Sequence, residues 1–389
     1  MKNFKYGLFI GCLLMSSCEK SEKTDGSAEN NLTKKEMSAE NAIFTKKEKS
    51  EVPAAPKSGE TYLVKYKSTG AKGNEIWMTG LVTFPENYEQ NKAGTHIISW
   101  AHGTTGISRN AAPSLFQKGG ANEEALLMVA GYLDNWVQKG FIVVQPDYEG
   151  LGSEDSKGTY LNRQSLSNAV NDLVKTVKSQ HQTSGKWINI GWSQGGYAAI
   201  SAADNAAEGL VGTISIAPGD SEIVTPELKA KGLKPEDILR MIEGDNLGFI
   251  PILLGGAINA NDAVKADDFL SEKGKEMIQS ADKMGLTELR KSYSQLSGKD
   301  MLKENPNTKH LQDYMDSQRL ELMEPKGEAL VILGTEDVTV TGDTVRRLAE
   351  NWKKRGLSVD FKEIKSADHR QSVPQSFDVQ WDFVQKVLK

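Results

Sequence analysis

Ile188-Asn189-Ile190-Gly191-Trp192-Ser193-Gln194-Gly195-Gly196-Tyr197-Ala198-Ala199 is the stretch that decides the fold. An apolar strand candidate, Trp187–Gly191, runs directly into a Gly-x-Ser-x-Gly pentapeptide, and small residues suited to a close-packed helix follow. The bare pentapeptide is weak evidence; the strand before it and the helix after it carry the information. In that setting Ser193 occupies a sharp strand-to-helix turn with its hydroxyl exposed above a sheet. Gly191 and Gly195 leave room for the strained backbone, and Gly196 lets the helix approach neighbouring strands.

On either side, short β-branched runs alternate with helical patterns. Strand candidates are Thr61–Lys67, Glu75–Phe84, His96–Ala101, Phe141–Pro146, Val211–Ala217, Ala329–Gly334 and Val359–Ile364. Several are apolar throughout, as strands covered on both faces should be. Leu166, Val170, Leu173 and Val177 repeat at helical spacing, as do Phe377, Trp381, Val384 and Leu388. The pattern predicts an α/β fold: a mostly parallel, right-handed wound central sheet flanked by helices. No helix separates the first two strands, so an antiparallel start is expected. Strand signals then stop between Pro218 and Lys326, which predicts a helical cap inserted at about 219–326 over the carboxyl ends of the strands. Its most apolar run, Leu247 to Ile258, suits either an acyl-binding wall or simple packing of the cap onto the sheet.

A serine hydroxyl attacks a carbonyl only when a base takes its proton, and the base needs a carboxylate to hold its tautomer. Of five histidines, His96 at a strand start, His181 at a helix end and His310 in the cap read as structural or exposed. His369 follows the last strand in a loop before the final helix and is the expected base. The acid belongs at the end of the preceding strand, where Gly334-Thr335-Glu336-Asp337 offers two carboxylates. Asp337 is preferred, although a turn-forming aspartate would occupy the same position, and Glu336 is the second choice. Asp368 cannot easily fold back onto the adjacent imidazole. A tetrahedral intermediate also needs two backbone N–H donors for its oxyanion. One is that of Gln194; the other comes from the loop His102-Gly103-Thr104-Thr105-Gly106, with Thr104 preferred and Gly103 next. His102 reads as a residue that shapes this loop.

The elbow and the order Ser193, Asp337, His369 resemble those of an α/β-hydrolase, and most of all the secretory lipase family of serine esterases, with its Gly-x-Ser-Gln-Gly-Gly elbow and helical cap. The resemblance spans about residues 58–389 and includes Pro146-Asp147-Tyr148-Glu149-Gly150-Leu151-Gly152, where the aspartate and glycines of similar hydrolases shape a tight loop. It implies a Ser-His-Asp triad of Ser193, His369 and Asp337 that cleaves carboxylic esters through an acyl-enzyme. The acyl length and the alcohol stay open, so a lipase, a short-chain esterase and a polysaccharide esterase are not separated. Two other readings stand beside it: a serine peptidase on the same fold, and an envelope-anchored binding protein without catalysis. No cofactor is implied. The chain has no His-Glu-x-x-His and no phosphate-binding Gly-x4-Gly-Lys, and Asp155 breaks the dinucleotide pattern that Gly150-Leu151-Gly152 begins.

At the amino terminus, Lys2 and Lys5 precede an apolar stretch, Leu8 to Met15, too short to span a bilayer. Met15-Ser16-Ser17-Cys18 resembles a bacterial lipobox, so residues 1–17 are expected to be a signal peptide and Cys18 the lipidated residue. That places the protein in the cell envelope, anchored to the membrane by lipid; ordinary secretion is the alternative. Residues 18–57, rich in Lys, Glu, Ser and Asn, are expected to form a disordered tether ahead of a domain at 58–389. With 47 Lys+Arg against 52 Asp+Glu and a net charge of −5, no basic footprint for a nucleic acid is present. The two cysteines, Cys12 and Cys18, leave the body no thiol for a disulfide or a Cys-based metal site. The partner is therefore an ester substrate, and nothing in the sequence sets the oligomeric state.

Overall fold

The computed structural model describes residues 42–389. The expected signal segment, the lipidation site Cys18 and the first part of the tether lie outside the described residues. Nine strands form one sheet in the order β1-β2-β3-β5-β4-β6-β7-β8-β9. They are β1 (Ala42–Lys47), β2 (Glu60–Thr69), β3 (Glu75–Phe84), β4 (Ile97–Ala101), β5 (Ile142–Pro146), β6 (Trp187–Trp192), β7 (Leu210–Ile216), β8 (Glu328–Gly334) and β9 (Val359–Ile364). The pairs β1–β2, β2–β3 and β3–β5 are antiparallel and the remaining five pairs are parallel. The predicted mostly parallel sheet with an antiparallel start is the sheet that forms.

The main helices are α1 (Glu123–Gln138), α2 (Arg163–Gln180), α3 (Gln194–Asp204), α4 (Phe249–Ala260), α5 (Glu272–Ala281), α6 (Leu286–Tyr293), α7 (Gly342–Lys354) and α8 (Phe377–Leu388), with further helical segments such as Lys309–Ser317 between them; α1, α2, α3, α7 and α8 cover the faces of the sheet. Leu166, Val170, Leu173 and Val177 of α2 are buried with Tyr197 and Ile200 of α3 and Trp352 of α7 in one core. Val129, Leu133 and Trp136 of α1 pack with Phe383 and Val384 of α8 in a second. Because both faces are covered, all five residues of β4 and all six of β6 are buried, and their sequences are correspondingly apolar.

The strand order locates the site. The chain leaves β4 through α1 and returns to β5 on one side, whereas it leaves β6 through α3 and moves to β7 on the other. Adjacent strands whose continuations diverge leave a crevice at their carboxyl ends, the place where open α/β sheets bind ligands. The segments that emerge there are His102–Gly106 and Ser193.

The tether boundary at residue 57 is corrected. Residues 42–47 form β1 in register with β2, from Ala42 opposite Tyr66 to Lys47 opposite Thr61. Lys49 then clamps the following turn by donating to Pro56 O (2.8 Å), Ser58 O (3.1 Å) and Thr61 Oγ1 (2.8 Å). Val52 and Ala55 pack on Leu81, and Ala54 packs on Phe116 and Leu126. Composition alone misleads here, because an edge strand draws its stability from a partner already in place rather than from its own apolar content.

Between β7 and β8 the chain adds no strand to the sheet and carries α4, α5, α6 and the helix Lys309–Ser317 among other helical segments. This insertion is fastened to the β4 loop: Leu286 N donates to Thr105 O at 2.8 Å, and Gly106 pairs with Gly285 as an isolated antiparallel bridge.

Candidate active site

Ser193 has φ 59° and ψ −119°, a conformation that non-glycine residues rarely adopt. The strain is held from three sides. Ser193 N donates to Ile216 O (2.9 Å), and Ser193 O accepts from Tyr197 N (3.1 Å) and Gly219 N (3.1 Å). No side chain could replace the flanking glycines. A Cβ on Gly191 would stand 1.9 Å from Gly195 O, and one on Gly195 would stand 1.8 Å from Ala101 O. The sequence Gly-x-Ser-x-Gly is thus the only way to bring β6, α3 and the end of β4 this close.

His369 arrives in the loop after β9 and lines the same cavity as Ser193. Its Nδ1 donates to Asp337 Oδ2 at 2.7 Å, and the carboxylate is wholly shielded from solvent while the imidazole is 14% exposed. Asp337 Oδ1 accepts from Thr339 N and Val340 N, each at 2.9 Å, so one carboxylate orients the imidazole and closes its own turn. Burial alone would push Asp337 upward; the hydrogen bond and the attraction to His369, with the two backbone donors, outweigh it and hold the carboxyl below its ordinary value. The loop is braced by Trp192, whose Nε1 donates to His369 O at 2.8 Å. Glu336 is exposed, and Asp368 accepts from Arg370 N and Gln371 N as a turn residue.

The β4 loop faces the elbow. Gly103, Thr104 and Thr105 line the cavity that holds Ser193 and His369. Thr104 Oγ1 is hydrogen bonded to Tyr160 Oη at 2.7 Å, and burial pushes that phenol up to about 12, so it stays protonated. Gly103 lies against Trp192, whose ring would be 2.8 Å from a Cβ at that position. The N–H of Gln194 opens the first turn of α3, where no intrahelical acceptor exists. His102 is buried beneath the loop, stacked on Tyr148 with ring centroids 4.1 Å apart. Its Nδ1 donates to Gly103 O at 2.7 Å, and burial drives its pKa down to about 4, so it is a neutral strut.

Asp147, from the loop picked out in the sequence, supports the floor. It accepts from Thr79 Oγ1 (2.7 Å), Ser114 N (3.0 Å) and Ser114 Oγ (2.5 Å), and burial lifts it to about 6. The remaining histidines are elsewhere. His96 bonds Ser184, His181 packs on Phe84, and His310 is exposed.

Two cavities meet at the elbow. One, of about 110 Å³, contains His369 and the β4 loop. The other, of about 620 Å³, runs under the insertion along Ile223, Leu239, Ile250 and Leu253. Ser193, Phe249 and Thr339 line both. The apolar run Leu247 to Ile258 is divided: Leu247, Ile252 and Leu254 are buried in the core, whereas Phe249, Ile250 and Leu253 form cavity wall. Sequence reasoning missed Ala54, Tyr160 and Arg290 as parts of the site; only the folded chain brings them to it. Among the described residues no group of His, Cys, Asp and Glu is arranged to hold a metal ion, and no helix is long and apolar enough to cross a membrane.

Residues 123–381, more than half of the chain, match the family model described as secretory lipase. The chain belongs to the secretory lipase family. Lipase A of Candida antarctica in its closed state superposes on this secretory lipase with a TM-score of 0.69 at 15% identity, over 89% of this chain and 80% of that one. A rice cell wall degrading esterase from Xanthomonas oryzae does so with a TM-score of 0.64 at 17% identity, over 88% and 97%. At these identities the likeness is one of fold, the α/β-hydrolase fold. No curated protein matches this secretory lipase in sequence. Family membership makes it a carboxylic ester hydrolase of the lipase and esterase type.

Proposed function

We propose that Ser193, His369 and Asp337 form the catalytic triad of this ester hydrolase. The observation that carries the reading is the 2.7 Å bond from His369 Nδ1 to a shielded Asp337, on an imidazole that shares a cavity with a serine at a positive-φ elbow. With Nδ1 committed to Asp337, Nε2 is the nitrogen left to take the Ser193 proton. The Ser193 oxygen then attacks the ester carbonyl, and the resulting oxyanion is held by the N–H of Gln194 and that of Thr104, or of Gly103 beside it. His369 returns the proton to the departing alcohol and an acyl-serine remains. Water, deprotonated by the same nitrogen, releases the acid and restores Ser193. Charge on the imidazolium is offset throughout by Asp337, whose lowered pKa keeps it ionised.

A fluorophosphonate probe with a fluorescent tag tests the nucleophile. Wild type is expected to label at Ser193 and to turn over a chromogenic butyrate ester; Ser193→Ala should do neither, and retained turnover would sink the assignment. An aminoacyl anilide cleaved faster than the butyrate would turn the reading toward a peptidase.

The reading extends to the amino terminus. Residues 1–17 act as a signal peptide and Cys18 carries the lipid, ahead of a hydrolase domain that includes β1, Ala42–Lys47. The protein then works at the bacterial cell envelope. Labelled palmitate should enter wild type and not Cys18→Ala; equal incorporation rules the anchor out.

A further inference from the structure

The two cavities at Ser193 differ in charge. Among the described residues no Asp or Glu lines the smaller one, which has Arg290 and Arg370 in its wall. Among the described residues no Lys or Arg lines the larger one, which has Asp220, Glu222 and Glu243. Their chemical roles differ as well. The departing alcohol oxygen must take its proton from His369, which lines only the smaller cavity, so the alcohol portion of an ester lies there and the acyl portion in the larger.

Arg290 is the unusual member of the smaller cavity. Arg319, Arg347 and Arg355 each pair with a carboxylate, and Arg370 pairs with Glu124. Among the described residues, Arg290 makes no ion pair and its guanidinium no hydrogen bond, and its Nε is buried without a partner. What holds it is the face of Phe249, 4.6 Å from the guanidinium carbon. Asp245 attracts it without reaching it, and burial lowers its pKa from the ordinary value. A guanidinium stays charged under all ordinary conditions, and half-burying one with its Nε unpaired leaves donors open to an acceptor on a bound molecule.

We propose that this secretory lipase takes esters whose alcohol portion carries a carboxylate, and that Arg290 is the residue that recognises it. The proposal rests on the reading of Ser193 and His369 as nucleophile and base. The planar fork of Arg290, held over the ring of Phe249, suits a bidentate carboxylate. Arg370 adds positive potential at the same wall, partly offset by Glu124.

The test compares the butyrate esters of 4-hydroxybenzoate and 4-hydroxybenzamide, which have the same shape and differ in charge. Wild type and Arg290→Gln are compared by the ratio of kcat/KM for the two, so that intrinsic reactivity cancels. The ratio is expected to fall about tenfold in Arg290→Gln, the size of one charge-assisted hydrogen-bond pair, and less in Arg290→Lys. About 0.5 M NaCl should lower the wild-type ratio more than that of Arg290→Gln, in which only Arg370 is left to be screened. An unchanged ratio overturns the proposal, as does an equal loss on both esters, which would show Arg290 acting only by packing Phe249. A second arm needs no turnover: Ser193→Ala should bind 4-hydroxybenzoate more tightly than 4-hydroxybenzamide, and Ser193→Ala/Arg290→Gln should not. Equal binding of the two in Ser193→Ala also overturns it. The underlying reading fails differently, by cleavage of the benzamide ester at the wild-type rate in Ser193→Ala.

Discussion

Asp337 divides its two oxygens between a neighbouring turn and the imidazole of His369, so an amide in its place should keep the turn and lose the orientation. Asp337→Asn is expected to fold and melt near wild type while kcat falls roughly 10³- to 10⁴-fold, because the amide favours the wrong imidazole tautomer. A kcat within tenfold of wild type would mean that another group holds His369. Gly195→Ala is expected to behave in the opposite way. Its Cβ would stand 1.8 Å from Ala101 O, so the elbow must open, and a loss of more than about 4 kcal/mol in urea unfolding is expected alongside lost activity. The three proposed triad positions were legible in the sequence because strand order confines each to the end of one particular strand. Arg290 was not, since a basic residue on an amphipathic helix is ordinarily solvated. Its lack of a partner is a property of the packed insertion and not of its neighbours in sequence.

Among the elements, the central strands and the amphipathic helices were legible, and β1 was not. Ala42 and Phe44 are its only residues with appreciable apolar contact; Phe44 meets the His181 ring with centroids 5.0 Å apart. The strand exists because β2 offers it an edge, a nonlocal cause that no local pattern records. A chain beginning at Ala42 is accordingly expected to melt like the longer protein. One beginning at Ser58, where composition suggests the domain starts, should lose several degrees in Tm and expose the β2 edge to aggregation. Identical melting of the two would show that β1 contributes nothing. At the scale of α4, Phe249 is the side chain common to both cavities besides Ser193 and Thr339. Phe249→Ala should join the two cavities and flatten the dependence of kcat/KM on acyl length across a graded ester series, with KM changing more than kcat. An unaltered length profile would show that the ring does not partition the substrate.

For the molecule as a whole, buried titratable groups set how stability answers to pH. His102 has a pKa of about 4 in the fold, below its ordinary 6.5, so the unfolded chain binds the proton first as the solution is acidified. Its contribution is complete above pH 6.5 and is lost between 6.5 and 4, about 3 kcal/mol in all. Asp147 and Asp220 act with the opposite sign. Burial lifts each from 3.8 to about 6, so ionising them costs stability as pH rises from 4 to 6. His102→Gln should therefore lose about 3 kcal/mol less than wild type between pH 7 and pH 4 in urea unfolding. Parallel profiles for the two proteins would show that His102 is protonated without penalty.

Ala54 forms part of the wall of the cavity that holds Ser193, and it lies only a few residues beyond the edge strand that leads the chain in from its amino-terminal side. Were Cys18 lipidated as proposed, release from the surface would be constrained by architecture. A protease that cuts ahead of Ala42 would free an intact enzyme, whereas one that cuts between Lys47 and Lys57 would strip a panel from the reaction chamber and liberate a damaged one.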